Sequence, residues 1–150
     1  MRITGYSQKD FTRVMEINDA CYSGIYCPPS ATVHDMVTVS DVFLACQQEG
    51  IQRQYGAEII VGFAIVQNVF QPYLWNLAVH PDYQGKGVGG LLLRHLITTY
   101  TASGQNKISL HVSVENPAQK LYFDNGFRVV RFEDDYFDPN DGLLMERKLP

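Results

Sequence analysis

Residues Asn76–Leu93 read NLAVHPDYQGKGVGGLLL, a run of strand-forming residues, a polar turn, four glycines within Gly85–Gly90, then a leucine-rich start to a helix. Four glycines so close together would weaken any helix, so the backbone itself must be the reason for them. Amides without side chains approach an anion closely, and a following helix N-terminus adds about half a positive charge. The segment therefore predicts a strand–loop–helix unit that holds a phosphate group. A P-loop does not fit, because its spacing needs glycine at the position of His80 and Ser or Thr after Lys86, where Gly87 stands. The dinucleotide pattern GxGxxG matches at Gly85, Gly87 and Gly90, with Glu115 at a tolerable distance for a ribose contact. That turn normally follows its strand directly, whereas HPDYQ intervenes here, and the 60 residues after Gly90 are too few for a dinucleotide-binding sheet.

Working outward, the hydrophobic period identifies the flanking elements. Ser7 to Asp10 resembles a capping box, and Phe11, Val14, Met15 and Ile17 predict a helix over about Ser7–Ala20. Ser30 is expected to cap a short second helix. Val42–Cys46 and Glu58–Val69 read as strands, as do Tyr73–Val79 and Ile108–Val114. Val88 to about Gly104 and Asn116–Asn125 read as helices, the second stopped by Gly126, and Phe127–Phe132 with Leu143–Leu149 as a closing antiparallel pair. The predicted order is α-α-β-β-β-α-β-α-β-β, a mixed α/β chain forming one domain over residues 1–150 on a single sheet.

Composition narrows the function classes. The chain has 150 residues, 12 Lys+Arg against 16 Asp+Glu, and a net charge of −4. An acidic chain without a basic cluster is not expected to take nucleic acid as its partner. The longest apolar run, Ile59–Val66, is broken by Gly62 and far short of a membrane span. The start, MRITGYSQKD, has no apolar leader segment, so a cytoplasmic protein is expected. Cys21, Cys27 and Cys46 lack metal-ligand or paired spacing, and no metal is implied.

The quoted stretch resembles the acetyl-CoA motif of the GNAT superfamily of N-acetyltransferases, Gln/Arg-x-x-Gly-x-Gly/Ala, filled here by Gln84, Gly87 and Gly89. HVSVENPAQKLYFDNGF, His111 to Phe127, resembles the family's second block, and the resemblance spans about Phe70–Leu149. It implies a mainly antiparallel sheet flanked by helices, with two central strands splayed apart. It also implies acetyl-CoA as co-substrate and direct attack by an amine in a ternary complex. The amides of Gln84, Gly85, Lys86, Gly87, Val88, Gly89 and Gly90 would cradle the coenzyme diphosphate. The backbone of Leu77, Ala78 and Val79 would pair with the pantetheine arm, the Val79 amide polarising the thioester carbonyl. Asn116 would bond the same arm, cap the following helix, or both. Tyr122 matches the family's general acid near the sulfur.

For the base, the resemblance points to His111 and Tyr73, positions where protein N-terminal acetyltransferases hold a water, with Glu115 and Asp135 as alternatives. His34, His80 and His95 receive no role. The tail DDYFDPNDGLLMERKL resembles the hairpin of those enzymes that covers the acceptor backbone, which implicates Tyr136 and Phe137; Tyr26, in the first interhelical loop, is a further candidate acceptor contact. That loop, Tyr22 to Pro29, departs from their usual motif. A peptide α-amine of pKa about 7.7–8.0 is roughly 10–15% neutral at pH 7, whereas a lysine amine of about 10.4 is almost wholly charged. A modest base such as His111 therefore suits a protein N-terminus. A small amine (polyamine, amino acid or aminoglycoside) and a non-catalytic acetyl-CoA sensor are the alternatives, and a monomer or homodimer is expected.

Overall fold

The computed structural model describes residues 1–21, 28–49, 56–137 and 140–150. In chain order the elements are β1 (Arg2–Gly5), a 3-10 turn (Gln8–Asp10), α1 (Phe11–Cys21), α2 (Ser30–Val37), β2 (Asp41–Gln48), β3 (Glu58–Asn68) and β4 (Pro72–Val79). A second 3-10 turn (Pro81–Tyr83), α3 (Val88–Ala102), β5 (Lys107–Ser113), α4 (Gln119–Asp124), β6 (Arg128–Phe137) and β7 (Asn140–Lys148) follow. The strands order as β1-β2-β3-β4-β5-β7-β6. β1 pairs antiparallel with β2, and β7 pairs antiparallel with both β5 and β6. β4 and β5 run parallel, Tyr73 beside Ser109. This is the mixed, mainly antiparallel sheet that the sequence predicts.

Two compact units make up the chain: Met1–Ile65 with Asn76–Leu92, and Val66–Trp75 with Leu93–Pro150. The first has a core that includes Val14, Ile17, Leu44, Phe63 and Val88, all at most 1% exposed. Its entry follows the expected chemistry, since the Asp10 carboxylate accepts from both the Ser7 amide and hydroxyl. Gly62 of β3 is needed for close packing. A Cβ there would lie 3.0 Å from the Ala78 carbonyl oxygen and 3.1 Å from a Val88 methyl, so β4 and the start of α3 sit against bare backbone. In the second unit Leu93, Leu96, Ile108, Leu110 and Phe127 form the core. Gly126 ends α4 with φ +88°, a left-handed turn that glycine adopts without strain.

Three expectations are corrected. β1 was not predicted: RITG is too short to show a period, and it is ordered by pairing with Phe43–Cys46 of β2. Pro29, not Ser30, occupies the cap position of α2, and the Ser30 hydroxyl instead donates to the Asp19 carboxylate. α4 begins at Gln119 rather than Asn116, because Asn116 and Pro117 form a turn ahead of it.

Candidate active site

In the first unit, β4 ends at Val79 and the chain turns through Pro81–Tyr83 before the glycine loop. The turn is tied from several sides. The His80 amide donates to the Val61 carbonyl at 2.9 Å, and His80 Nδ1 accepts from the Asp82 amide at 3.2 Å. Gln84 Nε2 donates to the Val79 carbonyl at 2.9 Å, and the Cys21 thiol lies 3.2 Å from the same oxygen. The side chain of Gln84 therefore anchors the end of β4. Lys86 folds back as well, its ammonium on the Asp82 carbonyl at 2.9 Å and 5.2 Å from the centre of the Tyr83 ring.

With those exposed side chains folded back onto the Val79 and Asp82 carbonyls, the glycines present backbone. Gly85 and Gly87 hold φ of +71° and +83°, and a Cβ on either would meet nothing within 4 Å. The Leu91 amide makes a helical bond to the Gly87 carbonyl at 2.9 Å. Val88, Gly89 and Gly90 precede it in the first turn of α3, where amides have no intrahelical acceptor. A row of backbone donors at a helix N-terminus, open at Gly85 and Gly87, has the chemistry to fit a diphosphate. Leu77, Ala78 and Val79 are the last three residues of β4, alternating half-buried, buried and half-buried. Beneath them Asn76 Nδ2 donates to Asn18 Oδ1 at 3.3 Å, and Asn18 Nδ2 donates to the Pro28 carbonyl at 3.0 Å.

The second unit brings several titratable side chains together. His111 of β5 is nearly buried, its side chain 13% exposed. Its Nδ1 lies 2.7 Å from the Tyr73 hydroxyl, and the Tyr136 ring stacks on it with centroids 4.0 Å apart and planes within 9°. Phe137 meets Tyr136 edge-on at 4.8 Å. On the opposite side, His111 Nε2 is 3.2 Å from Glu133 Oε2, while Glu133 Oε1 accepts from Arg131 Nε and Nη2 at 2.9 and 2.7 Å. The Nε2 approach is not an in-line hydrogen bond. Burial, and next the Tyr136 hydroxyl, push the Tyr73 phenol well above its ordinary value of 10.0. Arg131 first, and His111 second, hold the Glu133 carboxyl below its ordinary 4.5. Tyr73 is thus a neutral hydroxyl at physiological pH, and Glu133 a carboxylate.

The remaining expected residues are placed as follows. Asn116 Oδ1 accepts from the Ala118 amide at 2.9 Å and so closes the turn ahead of α4; the helix cap position is Ala118, not Asn116 as expected. Tyr122 is 8% exposed on α4, its ring edge-on to Phe127 at 5.9 Å. Glu115 is exposed. Asp135 is exposed with φ +51° and its amide on Asp141 Oδ1 at 2.8 Å, so it serves a bulge in β6. Tyr26 lies outside the described residues. Glu133 was missed by sequence reasoning, and the bulges that hide its register are the reason. Among the described residues no group of three or more His, Cys, Asp or Glu could hold a metal, and no helix is long and apolar enough to cross a membrane.

A family model described as the acetyltransferase (GNAT) domain matches residues 40–129, which include the glycine loop, Tyr73, His111 and Tyr122. The chain belongs to the GNAT acetyltransferase family. The ribosomal protein bS18-alanine N-acetyltransferase of Haemophilus influenzae is 39% identical over 84 residues, 55% of this chain and 58% of the relative. The chain thus matches a little over half the length of that curated relative. The crystal structure of the ribosomal-protein-S18-alanine N-acetyltransferase from Escherichia coli superposes with a TM-score of 0.82 at 26% identity, over 99% of this chain and 93% of that one. A GNAT family acetyltransferase from Elizabethkingia anophelis, solved with acetyl-CoA bound, shares the fold at a TM-score of 0.75 and 19% identity, covering 99% and 98% of the two chains.

Proposed function

We propose that this GNAT protein is an acetyl-CoA-dependent N-acetyltransferase whose acceptor is the α-amine of a protein or peptide N-terminus. The observation that carries the reading is the Tyr73 hydroxyl set 2.7 Å from His111 Nδ1 beneath the Tyr136 ring. The sequence likeness to bS18-alanine N-acetyltransferases, which act on a protein alanine, supports it.

Acetyl-CoA supplies the activated acetyl thioester. The amides of Gly85–Gly90 and the start of α3 bind its diphosphate, and the end of β4 aligns its pantetheine arm. An α-ammonium of pKa about 7.7–8.0 must lose a proton before it can attack. Tyr73 and His111 receive that proton: the phenol stays neutral and passes its own hydrogen to Nδ1 as it gains another. Tyr122 supplies the proton that the departing thiolate needs. Tyr136 and Phe137 present aromatic faces to the acceptor backbone.

A thiol-release assay with acetyl-CoA tests this. The panel holds peptides of varied first residue, the same peptides blocked at the N-terminus but carrying lysine, and polyamine, amino-acid and aminoglycoside acceptors. Turnover confined to free N-termini is the expected result. Turnover on small amines alone would reassign the acceptor. Tight coenzyme binding without turnover on any acceptor would make the protein a sensor.

A further inference from the structure

The contact between His111 and Glu133 follows from strand register. β7 lies between β5 and β6, and it pairs Leu144 with both His111 and Arg131, and Gly142 with both Ser113 and Glu133. His111 and Glu133 therefore project from the same face of the sheet, one row apart. Gly142 contributes no side chain between them, and the space over it is taken by the Tyr136 side chain that stacks on His111.

We propose that Glu133 is a positioning residue that fixes the tautomer of His111 and steadies its imidazolium while the acceptor amine is deprotonated. The proposal deepens the N-acetyltransferase reading and rests on it for the role of the proton. The Glu133 carboxylate oxygen, 3.2 Å from Nε2 though not in line with it, favours by its charge the tautomer that carries hydrogen on that nitrogen. Neutral imidazole has one N–H, so placing it on Nε2 leaves Nδ1 as the acceptor for the Tyr73 hydroxyl. That is the arrangement in which Nδ1 is able to take a proton.

The proton count closes. One proton leaves the acceptor ammonium for the Tyr73 oxygen, the original Tyr73 proton moves to Nδ1, and Tyr73 ends as it began. Glu133 remains a carboxylate throughout, and the imidazole–carboxylate pair goes from −1 to neutral. The buried Nε2 makes no in-line hydrogen bond, so the nearby negative charge is its compensation for lost water. The groups facing His111 are Tyr73 from β4, Glu133 and Tyr136 from β6, and the apolar Leu144 from β7, with Arg131 one step beyond on the other carboxylate oxygen. The Tyr136 ring adds cation–π attraction for the charged form.

Nitrogen-15 NMR of the histidine rings tests the proposal directly, the His111 signal being the one lost in His111→Asn. In the wild type the neutral ring should carry its proton on Nε2. In folded Glu133→Gln the preference for hydrogen on Nε2 should weaken, with Nδ1 gaining a measurable share of it. kcat should fall roughly 10–100-fold with KM for acetyl-CoA unchanged. Glu133→Asp should recover part of both effects. A wild-type proton on Nδ1, or an unchanged tautomer ratio in folded Glu133→Gln, would overturn it. The wild-type tautomer needs no variant to fold. The NMR arms also need no acceptor, so failure of the peptide panel and failure of Glu133 as positioner are separate results.

Discussion

A single methyl group tests the Tyr136 stack. A Cβ on Gly142 would sit 2.8 Å from the Tyr136 Cβ and 3.1 Å from its Cγ, near the backbone where the side chain has little freedom to yield. Gly142→Ala should therefore push the ring off His111. We expect kcat/KM for the acceptor to fall roughly 10-fold or more, as misplacements approaching 1 Å do, with coenzyme affinity unchanged by calorimetry. An unaltered kcat/KM would mean that the stack is not used in catalysis. At this scale the legible residues were those on regular alternation. His111 falls on the polar side of a strand whose other positions, Ile108, Leu110 and Val112, are buried, so its face could be read. Glu133 could not, because register shifts between Val129 and Arg131 and between Glu133 and Phe137 destroy the period-two pattern. Asp135 drew attention as an acid, yet its left-handed backbone and its bond to Asp141 show a residue that shapes the hairpin.

Between β4 and α3, the loop takes its shape from the positive φ of Gly85 and Gly87. Gly87→Ala separates angle from bulk, since its Cβ meets no neighbour within 4 Å but its φ is +83°. Holding a non-glycine residue there costs about 1–2 kcal/mol, so the melting midpoint should fall without any clash. If the residue escapes the strain by rotating, the loop amides turn away, and the calorimetric Kd for coenzyme A should rise at least several-fold. A variant with lower stability and unchanged Kd would remove Gly87 from the cradle. The sequence displayed this loop clearly because glycine clusters have few other causes, and strands β2 to β5 because their apolar residues alternate or run together. β1 was illegible for the opposite reason: four residues carry too little pattern, and the strand exists only through its pairing with β2. The start of α4 was misjudged because Asn116 caps a turn as readily as a helix.

Charge acts over the whole chain. The net charge is −4, and residues 133–141 carry five acidic residues, Glu133, Asp134, Asp135, Asp138 and Asp141, in the stretch that also holds Tyr136. Arg131 is paired with one of them, Glu133. Such a field attracts an acceptor that arrives as an ammonium, and it favours a peptide with further cations behind the first residue. Exposed charges of this kind are screened over about 10 Å at 0.1 M salt and about 3 Å at 1 M, so steering by them fades as salt rises. With acetyl-CoA saturating, so that the salt response of coenzyme binding drops out, kcat/KM should decline with ionic strength. The decline should be steeper for a peptide carrying lysine near its N-terminus than for the same peptide carrying glutamate. Equal slopes for the two peptides would show that these carboxylates do not face the acceptor's path, and would turn attention from a cationic protein terminus toward a neutral one.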